Sequence, residues 1–336
     1  MKSRQKNRKI EHIQLTKDSQ IGEASIEERF NYEPIFGVHP TDDDSLNIEF
    51  LGKKLNAPLW ISSMTGGTDN AEKINKNLAL AAKEFGLGMG LGSCRSLLHD
   101  DLCIKDFDVR NIIGNDLPFY ANLGVFQVEQ LVRKKQLFKI HNLIEKLKVD
   151  GLIVHINPLQ EWFQVEGDRF VRPPIETIAE LLELVSFPVI IKEVGQGMGP
   201  KSLNALVQMP LAAIEFGAFG GTNFSKLEVL RRDSEDFCST HELIRVGHTA
   251  IEMVNIINHL LSELGSDMRC RQYIISGGIK TFMDGYYLKE KLIPRSIVGQ
   301  ANKFLDPAAD CYESLKKVIQ DELNSLKMAQ NFLELK

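Results

Sequence analysis

From Leu55 onward, short apolar runs alternate with longer stretches in which apolar residues recur every three to four positions. That alternation is the βαβα signature of a parallel sheet covered by helices. Eight runs read as strands, at 58–62, 86–90, 118–123, the run opening at Asp150, 188–193, 211–216, 272–276 and 296–299. Ile74, Leu78, Ala81 and Phe85 mark a helix after the first run. Further helices are predicted over 127–146 and 175–185, the segment 283–292 joins the last two strands, and the stripe Cys311, Leu315, Val318, Leu323 and Leu326 predicts a C-terminal helix. Strands and helices in this order predict a closed (β/α)8 TIM barrel over residues 55–336 as a single domain. Ahead of it lies an N-terminal extension, 1–54, in which 1–16 read as a basic solvated tail and 17–50 as an irregular wrap with an acidic patch, Asp42 to Asp44.

Composition narrows the class of protein without naming it. At 336 residues, 43% hydrophobic and 25% charged, the chain has the balance of a globular protein. A net charge of −5 argues against a general nucleic-acid surface. No run approaches the ~18 apolar residues that a membrane span needs, and the basic start lacks the apolar core of a signal peptide. A cytoplasmic protein without a membrane partner is therefore expected. Cys94, Cys103, Cys238, Cys270 and Cys311 are odd in number and show no CxxC spacing. Neither a disulfide framework nor a zinc site follows, and reduced thiols are expected.

In such barrels the chemistry belongs to the loops at the C-terminal ends of the strands. The fourth run delivers His155, Asn157, Gln160 and Glu161 to one end, followed by Glu166-Gly-Asp-Arg169. The loops after runs one to three carry Ser63-Met-Thr-Gly-Gly67, Gly92-Ser-Cys-Arg95 and Asn122-Leu-Gly124; Lys192-Glu-Val-Gly195 and Gly220-Gly-Thr-Asn223 follow runs five and six. Ser276-Gly-Gly-Ile279 and Gly299-Gln-Ala301 follow runs seven and eight, where glycines let backbone N–H groups approach a phosphate. The plain alternative is a pair of tight turns. Lys192 ends an apolar strand and should face an anion or an electron-rich cofactor edge, unless Glu193 or Glu215 pairs with it. Thr222 and Asn122 suit hydrogen bonds to a heteroaromatic ring, or simply shape turns. Arg8, Lys9, Arg95 and His155 make a cationic clamp for a diphosphate if the N-terminal arm reaches the barrel mouth. Glu161 is a single carboxylate of the kind that holds Mg2+ together with substrate phosphates, or a first-turn helix carboxylate favoured by the dipole.

Taken in order, these motifs resemble the type 2 isopentenyl diphosphate isomerases, FMN-dependent (β/α)8 barrels. The resemblance runs from Arg8-Lys9 to Leu305. It includes Met64-Thr-Gly-Gly67, Gly92-Ser93 with Arg95, Asn122-Leu-Gly124, Lys192-Glu-Val-Gly195, Gly220-Gly-Thr-Asn-Phe-Ser225 with Leu230-Arg-Arg232, and Ser276-Gly-Gly278. Asn157-Pro-Leu-Gln-Glu161 with Glu166-Gly-Asp168 is its most distinctive piece. The resemblance implies reversible 1,3-allylic isomerisation of isopentenyl diphosphate to dimethylallyl diphosphate, with FMN kept reduced, NADPH as reductant, and Mg2+. It implies that Ser63, Met64, Thr65, Ser93, Asn122, Lys192, Thr222, Gly277, Gly278, Gly299, Gln300 and Ala301 hold FMN. Arg8, Lys9, Ser93, Arg95 and His155 would bind the diphosphate, Glu161 the metal, and Gln160 would lie over the isoprenyl carbons as the catalytic side chain. A homo-oligomer, tetramer or octamer, is implied as well.

The chain departs from that pattern at Cys94, at Glu215 and Ala218, at Arg245-Val-Gly-His-Thr249 and at Gly299-Gln-Ala-Asn302, mostly on the FMN side. Two alternatives stand beside the resemblance. One is an FMN-dependent α-hydroxy-acid oxidase on the same barrel, whose His base and Arg are absent from Gly217-Ala-Phe-Gly-Gly-Thr222. The other is a flavin-binding relic without turnover.

Overall fold

A computed structural model describes residues 2–41, 44–63, 65–66, 70–231 and 239–336. Its centre is the expected closed barrel of parallel strands: β1 (Leu59–Ile61), β2 (Gly88–Gly90), β3 (Phe119–Gly124), β4 (Gly151–Ile156), β5 (Val189–Glu193), β6 (Ala213–Glu215), β7 (Gln272–Ser276) and β8 (Arg295–Gln300). Each strand pairs with the next, and β8 closes on β1 through Val298 opposite Leu59 and Gln300 opposite Ile61. The strands are apolar on both faces because side chains fill the inside and helices cover the outside. Leu59, Trp60, Ile61, Leu152, Ile153, Ile190 and Ile191 are all buried. Trp60 and Tyr120 meet edge to face inside the barrel, 6.1 Å between centroids. Gly88 makes room for that indole, since a Cβ there would lie 2.3 Å from it.

Hydrophobic period foretold the helix Ala71–Phe85, which buries Ile74, Leu78, Ala81 and Phe85 and stops at Gly86 with φ +64°. The single helix expected over 127–146 is instead two, Val125–Arg133 and Phe138–Leu147. Lys135 turns left-handed (φ 55°), Gln136 N–H bonds Leu131 O at 2.8 Å and Lys135 N–H bonds Val132 O at 3.0 Å. Those paired bonds are the Schellman closure, here built without the usual glycine, which is why sequence pattern ran straight through it. The C-terminal helix, Tyr312–Phe332, buries Leu315, Ile319, Glu322, Leu326 and Ala329, so its inward face is rotated from the predicted stripe. Cys311 is exposed and only precedes that helix. A further helix, Asn302–Asp310, follows β8.

The N-terminal extension is more ordered than its composition suggested. The basic tail forms a helix, Lys2–Leu15, on which every side chain from Arg8 to Leu15 is exposed. Within the wrap, Phe30–Tyr32 pairs antiparallel with Leu333–Leu335, and Ile48–Phe50 forms a hairpin with Lys53–Leu55. Asp42 and Asp43 of the acidic patch lie outside the described residues. Among the described residues no helix is long and apolar enough to cross a membrane.

Candidate active site

Polar side chains gather at the C-terminal ends of the barrel strands, in two adjoining groups. The first lines a cavity of about 770 Å³ reached from β1 and β5 to β8. Its floor is set by register: β5 and β6 pair Lys192 with Glu215, so both side chains enter the barrel at one level. Lys192 Nζ donates to Glu193 O at 2.7 Å and lies 3.9 Å from Glu215 Oε1. Ser276 Oγ donates to the same carboxylate oxygen at 3.3 Å and accepts Gly217 N–H at 3.0 Å. Among the described residues, Ser62 Oγ, Ser63 Oγ and Glu215 Oε2 are buried on the cavity lining without a hydrogen-bond partner. Where such atoms line a cavity, they offer hydrogen bonds to a polar ligand.

The cavity wall explains why its turns are glycines. Gly277 and Gly278 have φ +87° and +73°, and a Cβ on Gly277 would lie 2.2 Å from Ala218 O. Backbone N–H groups are thereby free to approach a ligand. Of the residues expected at a cofactor, Ser63, Thr65, Lys192, Thr222, Gly277, Gly278, Gly299, Gln300 and Ala301 line this cavity. Ser93 is exposed after β2 and Asn122 is buried in β3; neither is part of the lining. Met64 lies outside the described residues.

The second group belongs to β3, β4 and the short helix Pro158–Phe163. His155 Nδ1 lies 2.7 Å from Asn122 Oδ1. An amide oxygen only accepts, so Nδ1 carries the proton and Nε2 keeps a lone pair. Desolvation pushes the His155 pKa down to about 3, and Lys192, opposite it on β5, adds to the shift. The ring is neutral near pH 7. Asn157, which sequence left without a role beyond the turn, bridges its neighbours: its Nδ2 donates to Gln160 Oε1 at 3.1 Å and Glu161 Oε1 at 3.0 Å. The other Glu161 oxygen accepts Asp168 N–H at 2.8 Å, so this buried carboxylate is pinned between the helix and the 166–169 loop.

Gln160 is held from both sides. Its Nε2 donates to Glu228 Oε1 at 3.2 Å, and the buried Glu228 also accepts from Arg231 Nη1 at 3.0 Å. Glu228 escaped sequence reasoning because a helix glutamate is ordinarily solvated. The only hint was its place on the helix Phe224–Leu230, next to the quoted Leu230-Arg231. Arg95 reaches the same loop, its Nη1 3.2 Å from Asp168 Oδ2, which also accepts from Gln127 Nε2 at 3.0 Å. Arg8 and Lys9 are exposed on the N-terminal helix, and neither lines the cavity. Among the described residues no cluster of three His, Cys, Asp or Glu side chains forms a metal cage; Glu161 stands with Asn157 Oδ1, a buried oxygen without a partner.

Glu193 completes the picture beside Lys192. Its Oε2 accepts N–H bonds from Gly195, Gln196 and Gly197 at 2.7, 2.6 and 2.8 Å and so ties down the loop after β5. Burial outweighs those bonds and the nearby Lys192, and the carboxyl is pushed up to about 7. Cys94 is buried behind the Ser93 turn, and desolvation pushes its thiol up to about 12, which makes it a packing residue.

Fold and site together define a (β/α)8 barrel with a one-sided ligand cavity. Solved structures with that architecture include the flavin-binding domain of baker's yeast flavocytochrome b2 (TM-score 0.62, 12% identity, 90% of this chain and 72% of that one) and a mandelate oxidase carrying an FMN adduct (TM-score 0.53, 10% identity, 92% and 88%). No family model matches the chain. Curated relatives are more specific. The isopentenyl-diphosphate delta-isomerase of Rickettsia peacockii (strain Rustic) is 36% identical over 315 residues, 92% of this chain and 87% of the relative. That of Synechococcus sp. is 33% identical over 337 residues, covering 96% and 90%. The chain belongs to the isopentenyl-diphosphate delta-isomerase family, in agreement with the resemblance carried by its motifs.

Proposed function

We propose that this chain interconverts isopentenyl and dimethylallyl diphosphate using reduced FMN and Mg2+. The observation that carries the reading is the adjacency of a cavity with an incomplete polar floor to a rigid Asn157–Gln160–Glu161–Glu228 network. The residues fit a flavin nucleotide. About 770 Å³ is within the usual range of cofactor sites, Ser62, Ser63 and Glu215 offer open hydrogen-bonding atoms, and glycine turns after β7 and β8 suit a phosphate. In this reading Ser63 to Thr65, Ser93, Asn122, Lys192, Thr222, Gly277, Gly278 and Gly299 to Ala301 hold FMN. When bound and reduced, FMN supplies an electron-rich ring that stabilises positive charge on the alkene and a nitrogen able to exchange a proton.

The protein's own share is orientation and charge. Arg8, Lys9, Ser93, Arg95 and His155 bind the diphosphate; His155 is neutral in the free protein, and an anion beside it favours its protonated form. Glu161 and the open Asn157 Oδ1 are hard oxygen ligands of the type Mg2+ accepts, with substrate phosphate and water completing the shell. Gln160 has no useful ionisation, so it positions the isoprenyl carbons through an amide fixed by Asn157 and Glu228. NADPH is the proposed reductant and the cytoplasm the proposed location. The proposed homo-oligomer, tetramer or octamer, has exposed apolar surface available to it at Ile35, Phe36 and Val38. The N-terminal extension 1–54 serves as a substrate-binding arm on the barrel domain.

The test is anaerobic. Flavin-loaded protein is reduced and supplied with isopentenyl diphosphate and Mg2+, and dimethylallyl diphosphate is quantified. Gln160→Ala should lower kcat by about 100-fold with a small change in KM, as expected for loss of a group that orients the reacting carbons. Reduced, flavin-loaded protein that forms no product rejects the proposal, and oxidation of lactate or glycolate would select the hydroxy-acid oxidase in its place.

A further inference from the structure

The C-terminal helix Tyr312–Phe332 carries an acid where its inward stripe calls for an apolar residue. Glu322 lies between Ile319 and Leu326 on that stripe, and its side chain is 2% exposed. A carboxylate is buried at a cost unless both oxygens find partners. Both do: Oε2 forms an ion pair with Lys303 Nζ, and Oε1 accepts from Gln300 Nε2 at 3.4 Å. Gln300 ends β8, and Lys303 lies in the first turn of the helix Asn302–Asp310. Both partners line the 770 Å³ cavity, beside the glycine turns of β7 and β8. The unexpected acid on one element therefore meets the unusual Gly299-Gln-Ala-Asn302 loop on another, and the two form one unit.

We propose that Glu322 is a positioning residue that fixes Lys303 as the cation recognising the phosphate of the bound flavin nucleotide. The proposal rests on the flavin reading above. A lysine free at a cavity rim loses rotamer entropy when it engages an anion. Anchored to a carboxylate on a packed helix, Lys303 has that loss already met, and an ammonium keeps further N–H groups for the phosphate after one goes to Glu322. Gln300 braces the same carboxylate, so its oxygens cannot swing away from Lys303.

The experiment compares two ligands that differ only in the phosphate. Flavin-stripped full-length protein is titrated with FMN and with riboflavin, following quenching of flavin fluorescence, for wild type, Glu322→Gln, Lys303→Ala and the double variant. Glu322→Gln should weaken FMN about tenfold while riboflavin changes by less than about twofold, as for loss of one oriented charge-assisted contact. Lys303→Ala should match it, and the double variant should be no worse than either single one. Equal weakening of both ligands, unchanged or tighter FMN binding by Glu322→Gln, or additive losses would overturn the proposal. If Glu322→Gln does not fold, Glu322→Met fills the apolar stripe and takes its place in the same comparison. A wild type that binds FMN no better than riboflavin also overturns it. Wild type that prefers FMN yet forms no dimethylallyl diphosphate rejects the isomerase reading alone.

Discussion

His155 and Glu193 sit on neighbouring strands and answer pH in opposite directions. His155 falls from an ordinary 6.5 to about 3 in the fold, so its contribution to stability is present above pH 6.5 and is lost as pH falls toward 3. Glu193 rises from 4.5 to about 7, so its contribution is full below pH 4.5 and is lost as pH rises through 7. Between about pH 4.5 and 6.5 the two slopes oppose each other and partly cancel. Glu193→Gln, which keeps an acceptor for the three loop N–H groups, should make stability rise more steeply with pH across that window. His155→Gln should make it fall. Urea unfolding at several pH values reads both slopes, and parallel curves for the two variants would contradict the assignment. Lys192, Gln160 and Glu161 were legible because polar residues at the ends of apolar strands have few structural reasons to be there. Asn157, Glu228 and Glu322 were not, because each becomes meaningful only through a partner brought in by folding; Gln160 and Glu228 are 68 positions apart.

Strands and helices were read more securely than their joints. Apolar runs found every barrel strand to within a few residues, because a strand covered on both faces has to be apolar. The break at Lys135 and the rotated face of the last helix were missed, since neither needs a glycine, a proline or a change of period. At the opposite end of the barrel, element joining depends on charge. Asp150, just ahead of β4, pairs with Lys53 Nζ at 2.7 Å and Arg110 Nη2 at 2.9 Å and accepts Phe119 N–H at 2.8 Å. Arg110 is buried, so Asp150→Ala would leave its charge without a counter-ion. Loss of about 3 kcal/mol of stability is expected. Because this face carries structure and the other carries chemistry, kcat and KM should stay as in wild type, which steady-state kinetics well below the melting temperature will check.

At the scale of the molecule, the fold class followed from the count and alternation of strands, whereas the order in the first fifty residues did not. Phe30–Tyr32 is a strand because Leu333–Leu335 is there to pair with it, and no local pattern announces a partner at the far end of the chain. That pairing has a practical consequence. Lys336 N–H bonds Arg29 O at 3.1 Å, so Lys336 lies beside the residue that precedes the strand. An Asn-Gly link between Lys336 and Arg29 would close these two strands as a hairpin, the connection such a turn favours. A circular permutant joined there, reopened at the exposed Leu102 and lacking residues 1–28, should fold with a native circular dichroism spectrum and, on the flavin reading proposed above, bind FMN as the full chain does. It should bind the diphosphate substrate about tenfold more weakly if Arg8 and Lys9 act on the barrel mouth. Unchanged substrate affinity would free Arg8 and Lys9 from that role and show that residues 1–28 are dispensable for binding.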